Sequence, residues 1–226
     1  MTGAAAAAAD ASRHFFLTAP KEAPEDGICG YRLRPCRRFR SGSATPVKET
    51  LRVLRLLETD RLALRPITLH DVELLVELDS DPEVTRYVTG RPSSPQEVLA
   101  RIRDRLGSRW VAFDRFTGAF VGWFELVPAG QDTYDAGYRL RRQWWGQGLA
   151  TEGIRALIDS AFSQLGARRI TAHTMAVNVR SRAVMERCGM SYVRTFHLEW
   201  DHPLPGTEEG EVEYELTVDR WRPRGG

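Results

Sequence analysis

The 226-residue chain is nearly without lysine: Lys21 and Lys48 are the only two among thirty-two basic residues, the rest being arginine. Cysteine is also scarce. Cys29, Cys36 and Cys188 form an odd, sparse set, which argues against a disulfide scaffold and fits a reducing cytoplasm. Cys29 and Cys36 have no second Cys/His pair near them, so no metal site is expected, and Cys188 falls in a helical pattern as a small buried residue. No run approaches about eighteen consecutive apolar residues, which excludes a membrane-spanning helix. A dominant charge is missing too: the net of +2 is too balanced for a general polyanion binder. What is present is 42% hydrophobic, 27% charged and 9% aromatic, a globular composition able to bury a core.

The charge is unevenly divided. Residues 1–56 hold ten Lys/Arg against five Asp/Glu, and residues 57–226 hold twenty-two against twenty-five. The first piece opens on an alanine run, Ala4 to Ala9, then scatters Pro, Gly, Ser and Arg without helical or strand periodicity. Its basic stretch Arg32 to Arg40 reads either as an arm for an anionic partner or as a solvated segment. The alanines precede the basic residues and no apolar block follows Arg37-Arg38, unlike a secretory signal. Residues 1–55 are therefore expected to be a disordered leader and residues 56–222 the folded domain, cytoplasmic, with neither nucleic acid nor membrane as partner.

From Leu57 the pattern becomes regular. Arg61 to Ile67 alternates like a half-buried strand. Thr68 then caps a helix with Val72, Leu75, Val76 and Leu78 at helical spacing, which Asp81-Pro82 breaks before a short turn through Glu83 to Val88. Ser94-Pro95 opens a second helix carrying Val98, Leu99, Ile102 and Leu106. Strands are expected at Trp110–Asp114, Ala119–Val127 and Tyr134–Leu140, the first two joined by a tight turn at Phe116-Thr117-Gly118. An amphipathic helix runs from Leu149 to Leu165 and stops at Gly166. A strand (Arg169–Met175), a helix (Val179–Cys188) and two long strands (Met190–Trp200 and Val212–Trp221) complete the chain. This order fits neither strict β-α alternation nor an all-β sandwich, and implies a mixed α/β sheet with helices on both faces.

One segment carries a chemical signal, Tyr138-Arg-Leu-Arg-Arg-Gln-Trp-Trp-Gly-Gln-Gly-Leu-Ala-Thr-Glu152. A strand ends near Leu140, and Gly146 and Gly148 fall just before a helix begins. Glycines let backbone approach a ligand, and a helix N-terminus presents unpaired N–H groups with partial positive charge, an anion site suited to phosphates. The spacing alone is equally that of an empty strand-to-helix turn. A mononucleotide P-loop is excluded because no lysine follows, and a dinucleotide fingerprint because the third glycine and the acidic residue are not in register.

The segment resembles motif A of the GNAT superfamily of acyl-CoA-dependent N-acetyltransferases, whose pattern Gln/Arg-x-x-Gly-x-Gly/Ala is met by Trp145-Gly-Gln-Gly148-Leu-Ala150 except at its first position; Gln143-Trp-Trp-Gly146-Gln-Gly148 also satisfies it, but the helix start favours the later register. It is similar to the branch of the ribosomal-protein alanine acetyltransferases. Asn178-Val-Arg-Ser181 followed by Val184-Met-Glu-Arg187-Cys-Gly-Met190 resembles the family's helix motif. Leu57 to Arg65 and Glu211 to Leu216 resemble that branch's first and last strands. The resemblance covers residues 57–221. It implies a GNAT-like, mostly antiparallel sheet of about seven strands with helices on both faces, and acetyl-CoA as cosubstrate with no metal. It also implies an acetyl transfer to a primary amine, of a protein N-terminus or a small molecule, by direct attack.

By the same resemblance, Trp145, Gly146, Gln147, Gly148, Leu149, Ala150 and Thr151 hold the pyrophosphate. The edge of Tyr138, Arg139 and Leu140 pairs with the pantetheine and aims an N–H at the acetyl carbonyl. Asn178 and Ser181 line the pantetheine, although Asn178 also reads as a helix cap and Ser181 as a solvated residue. Arg139, Arg141 and Arg142 read as contacts to the 3′-phosphate or as a solvated strand end. The family's usual acid, a tyrosine, is replaced by Met185, leaving the thiolate, of pKa about 8.5, to take its proton from water. For the base, Glu125 and His197 are the candidates, with His173 in reserve; Glu152 is better explained by the helix dipole. Trp110, Trp123, Trp144, Trp145 and Trp200 read as packing rather than substrate stacking. Substrate choice is expected in loops 79–95 and 200–211, and the oligomeric state is open between monomer and homodimer. The missing tyrosine keeps a non-catalytic acyl-CoA-binding module as the rival. Removing residues 1–50 is expected to leave folding and activity nearly intact; thermal melting of the shortened chain checks this, and a collapse in solubility would move the domain boundary.

Overall fold

Local chemistry sets the helix starts. Thr68 and Asp71 form a capping box, with the Thr68 N–H donating to Asp71 Oδ2 at 2.7 Å and Arg65 pairing with the same carboxylate at 2.6 Å. Asp81 accepts from the Glu83 N–H at 2.9 Å ahead of Pro82. Ser94 and Glu97 form a second capping box, the Ser94 N–H donating to Glu97 Oε2 at 2.7 Å. The computed structural model describes residues 56–200 and 203–222; the expected leader, with Cys29 and Cys36, lies outside the described residues.

The chain runs β1 (Leu57–Glu58), β2 (Leu62–Pro66), α1 (Val72–Ser80), α2 (Pro82–Thr85), α3 (Pro95–Arg105), β3 (Arg109–Asp114), β4 (Phe120–Gly130) and β5 (Thr133–Leu140). It continues through α4 (Leu149–Gln164), β6 (Arg169–Met175), α5 (Val179–Arg187), β7 (Ser191–Phe196) and β8 (Glu211–Thr217). One sheet holds all the strands in the order β1-β2-β3-β4-β5-β6-β8-β7, antiparallel except where β5 meets β6. The mixed, mostly antiparallel α/β sheet is thus as expected, with one more strand. β1 is too short to show any alternation. The last two strands are shorter than expected: β7 ends at Phe196, β8 ends at Thr217, and a helical turn at Thr207–Glu209 occupies part of the connection. No helix among the described residues is long and apolar enough to cross a membrane.

Two cores flank the sheet. Ile154, Leu157, Ile158 and Ala161 of α4 bury against Leu62, Leu64, Trp110 and Phe124. On the opposite face Leu75, Leu78, Val98 and Ile102, of α1 and α3, close over Val111 and Trp123. Gly153 lets α4 sit directly on β4, since a Cβ there would come within 2.3 Å of the Phe124 ring. The α1–α3 layer is also held by buried charge: Asp79 of α1 accepts from Arg101 of α3 at 2.6 Å and from Arg139 of β5. Asp79→Ala leaves both guanidinium groups buried opposite nothing and is expected to cost about 3–5 kcal/mol, read by urea unfolding; a loss below about 1 kcal/mol would show that the pairing is not what docks the layer.

Candidate active site

The site begins where the sheet splits. β5 and β6 pair only from Thr133 with Arg169 to Asp135 with Thr171, and then diverge. Each arm is fixed by its other neighbour, β5 by β4 as far as Leu140 and β6 by β8 as far as Met175. The Arg141 N–H donates to Val121 O of β4 at 2.9 Å. Alternation along a strand therefore turns the N–H groups of Leu140 and Tyr138 away from β4, into the gap. The Leu140 carbonyl is met by the Trp145 indole N–H at 2.8 Å. At the apex, Asp135 Oδ1 lies 2.9 Å from both Thr171 Oγ1 and His173 Nδ1, a side-chain staple where backbone pairing stops.

The gap opens into a groove of about 740 Å³. Its walls are the end of β5, the turn before α4, the first turns of α5, and α2 with the residues after it. Gly146 and Gly148 have φ of 74° and 80°, left-handed values that let the turn present its backbone before α4 begins. Arg61 braces this turn by donating to Gln147 O at 2.9 Å. Glu152, in the first turn of α4, ties it to the start of the domain through Thr59 Oγ1 at 2.5 Å and the Arg61 N–H at 2.9 Å. Burial pushes that carboxyl up, but the bonds from Thr59 and Arg61 outweigh burial and hold it below its ordinary range. A second cavity beside the turn is lined by Arg61, Arg155 and Arg187 together with Gly146, Gly148 and Thr151. Glu152 completes that lining and pairs with Arg61 at 2.6 Å, so Arg155 and Arg187 carry the cavity's excess positive charge beside the helix N-terminus.

Tyr138, Arg139, Leu140, Trp145, Gly146, Gly148, Ala150, Thr151, Asn178 and Ser181 all line the groove. Of the other candidates in this set, Gln147 is exposed and offers its carbonyl to Arg61, whereas Leu149 is buried in the core. Asn178 does cap α5, accepting from the Ser181 N–H at 3.3 Å, while facing the groove as well. Ser181 Oγ lies 2.9 Å from Tyr138 Oη, a contact from α5 to β5. Burial raises that phenol well above its ordinary value, so it stays protonated. Met185 is 3% exposed and packs in the core, so no proton donor stands there. Cys188 is likewise buried, its thiol 3.7 Å from Thr151 O.

The two expected bases are not brought to the groove. Glu125 is buried and accepts from Arg109 at 2.9 and 2.7 Å, because β3 and β4 pair those two residues directly. His197 lies past the end of β7, exposed, with Nε2 3.2 Å from Glu208 O. Arg139 is committed to Asp79 and Arg141 to Glu77, so neither is a solvated strand end nor free for phosphate. Sequence reasoning missed Arg61, Arg155 and Arg187, and it missed Tyr87 and Arg86 as groove walls, though it placed loop 79–95 at the substrate side. Arg187 stood inside the helix motif and was the one legible signal. Trp123 packs between Arg109 and Arg139, at 4.0 and 5.3 Å, as a core residue.

Comparison with known proteins agrees with this geometry. The model of the acetyltransferase (GNAT) domain matches residues 61–191. A curated relative, the FsC-acetyl coenzyme A-N(2)-transacetylase of Aspergillus fumigatus, is 37% identical over 191 residues, 76% of this chain and 80% of that protein. Among solved structures, a GNAT-family acetyltransferase from Bacillus anthracis superposes with a TM-score of 0.63 at 21% identity, over 73% of this chain and 99% of the other. A spermidine N-acetyltransferase from Vibrio cholerae, solved with CoA and spermine, gives 0.61 at 17%, over 72% and 98%. Gly148→Asp provides a local test. Aspartate tolerates a left-handed φ better than most residues, and a Cβ there meets only Arg61 Nη2 at 3.6 Å, so the fold is expected to survive. The added carboxylate would occupy the phosphate position and pair with Arg61, abolishing the thermal shift given by acetyl-CoA; an unchanged shift would detach the turn from ligand binding.

Proposed function

The chain belongs to the GNAT acetyltransferase domain family, and we propose that it binds acetyl-CoA along the β5 edge and transfers the acetyl group to a primary amine, of a small molecule or a protein N-terminus. The observation that supports this reading is a groove and a second cavity that share the glycine turn. Inward-facing N–H groups at Tyr138 and Leu140 lead to that turn and a helix N-terminus, and Arg61, Arg155 and Arg187 line the adjoining cavity. The named relatives, one an acetyl coenzyme A-dependent N(2)-transacetylase, support both the donor and the nitrogen acceptor.

In this reading the pyrophosphate lies on the N–H groups of the turn, between Arg61, Arg155 and Arg187. The pantetheine adds as a partial strand to β5, with Asn178 and Ser181 as its far wall. An N–H of Tyr138 or Leu140 polarises the thioester carbonyl in a fixed, water-poor setting. The amine attacks the carbonyl carbon, the C–S bond breaks, and CoA leaves as a thiolate of pKa about 8.5, which water can protonate. An α-amine, of pKa about 7.7–8.0, is neutral in part at pH 7 and suits this site better than an ε-amine. The loop after α2, carrying Arg86 and Tyr87, forms the remaining wall and is where acceptor choice is set.

A thermal-shift titration with acetyl-CoA, CoA and dephospho-CoA, with ATP as control, tests the donor site. A ligand at a hundred times its Kd adds about 2.7 kcal/mol of stability, so the CoA species are expected to raise Tm and ATP is not. Free-thiol release over spermidine, alaninamide and an Nα-blocked lysine then tests turnover. Absence of any shift would overturn the reading, and binding without turnover would leave an acyl-CoA-binding module.

A further inference from the structure

Among the described residues six carboxylates are buried: Asp71, Asp79, Glu125, Glu152, Glu211 and Glu213. Five have an arginine in contact. Arg65 reaches Asp71 at 2.6 Å, Arg101 reaches Asp79 at 2.6 Å, and Arg109 reaches Glu125 at 2.7 Å. Arg61 reaches Glu152 at 2.6 Å and Arg194 reaches Glu213 at 2.7 Å. Glu211, 3% exposed, is the exception: among the described residues no hydrogen bond or ion pair engages its carboxylate. A buried carboxylate without a partner is costly, and structural packing alone gives no reason to keep one.

Its place in the fold supplies a reason. Glu211 is matched to Met175, the last residue of β6, and so stands at the wide end of the gap, one strand spacing of about 4.8 Å from it. Alternation puts residues 211 and 213 on the face shared with His173 and Asp135, while Val212, Tyr214 and Leu216 pack into the core with α4. The groove passes through the gap, with α5 and the turn before α4 on one face and α2 with Tyr87 on the other; Glu211, one strand beyond the groove's lining, lies on that second face, to which acceptor choice is assigned above.

Resting on the acetyl-transfer reading above, we propose that Glu211 accepts the proton of the attacking amine through one bridging water. The nitrogen bonds to the acetyl carbon as its proton passes by way of the water to the Glu211 carboxylate. The C–S bond then breaks, CoA leaves as a thiolate that takes a proton from solvent, and Glu211 returns its proton to solvent. Burial raises this carboxyl to about 7, while the positive charge of His173 works in the opposite direction. A base with its pKa near the working pH is the most effective kind.

Among the described residues, the following charged groups lie around Glu211. From β6 comes His173, from β5 Asp135 at 2.9 Å from its Nδ1, and from β8 Glu213 at 3.9 Å from its Nε2. From β7 comes Arg194, paired with Glu213, and beyond the strand His197 sits beside Gly210. Burial opposes charge on His173, but Asp135 and Glu213 outweigh it and raise the imidazole above its ordinary value. His173 is held through Nδ1 by Asp135 and is assigned a positioning role behind Glu211.

The test uses the full chain and the best acceptor of the amine panel. Glu211→Gln resembles the protonated carboxyl in shape, so Tm and the acetyl-CoA shift are expected to be preserved. Because the folded state holds this proton more tightly than the unfolded chain, Glu211 lowers stability as pH rises from about 4.5 to 7. The Gln variant is therefore expected to melt no lower than the parent at pH 8. Its kcat is expected to fall 100-fold or more, with loss of the acidic limb near pH 7, and His173→Gln should move that limb to higher pH by removing the nearby cation. Retention of kcat within about threefold, a limb that persists, or loss of folding in Glu211→Gln would each overturn the proposal. Failure of the parent to release thiol with any amine would instead remove the acetyl-transfer reading itself.

Discussion

Everything distinctive about this domain follows from a sheet that is allowed to come apart. Two antiparallel halves meet across three parallel rungs, and beyond Asp135 and Thr171 the two strands go separate ways. Exposed backbone N–H and C=O groups inside a protein are expensive unless something answers them. Here each arm has a full-length antiparallel partner on its outer side, which keeps it straight while its inner side stays open. The staple of Asp135 to Thr171 and His173 fixes the depth of the split. The Trp145 indole satisfies one inner carbonyl and leaves N–H groups for a ligand.

The layers on either face have different tasks. Beneath, α4 is pressed onto Phe124 at Gly153, and Glu152 and Arg61 tie its first turn to the beginning of the domain. The anion-binding end of α4 is therefore held by residues about ninety positions upstream. Above, the α1–α3 layer is secured through buried ion pairs that converge on Trp123, with Arg139 reaching from β5. Buried ion pairs contribute little net stability compared with apolar packing, but they tolerate few alternative arrangements. In this domain they register the α1–α3 layer against β5.

Much of this was legible in the sequence. The helix starts at Thr68, Ser94 and Gly148 were fixed by capping chemistry and glycine, and local signals of that kind need no knowledge of the rest of the chain. The glycine turn and the helix motif pointed to residues that line one groove. That the two expected bases fall outside the groove was not legible, for a specific reason. Alternation tells which face a strand residue occupies, but not what lies across from it: Glu125 looked like a strand-end acid until Arg109, sixteen residues earlier, proved to be its direct neighbour. His197 failed differently, since the strand expected to carry it ends one residue before. Arg61 and Arg155 reach the phosphate region only through tertiary packing, and nothing local marks them.

The arginines around the groove have one more chemical meaning. A thioester acylates any neutral amine nearby, and an enzyme that concentrates such a donor exposes its own lysines first. Residues 57–226 contain none, because Lys21 and Lys48 both lie upstream. The cations facing the donor are guanidinium groups, which keep their protons at every physiological pH and have no lone pair to offer. The folded domain can hold its reagent in a strongly cationic cleft without presenting a side-chain amine that the reagent could consume.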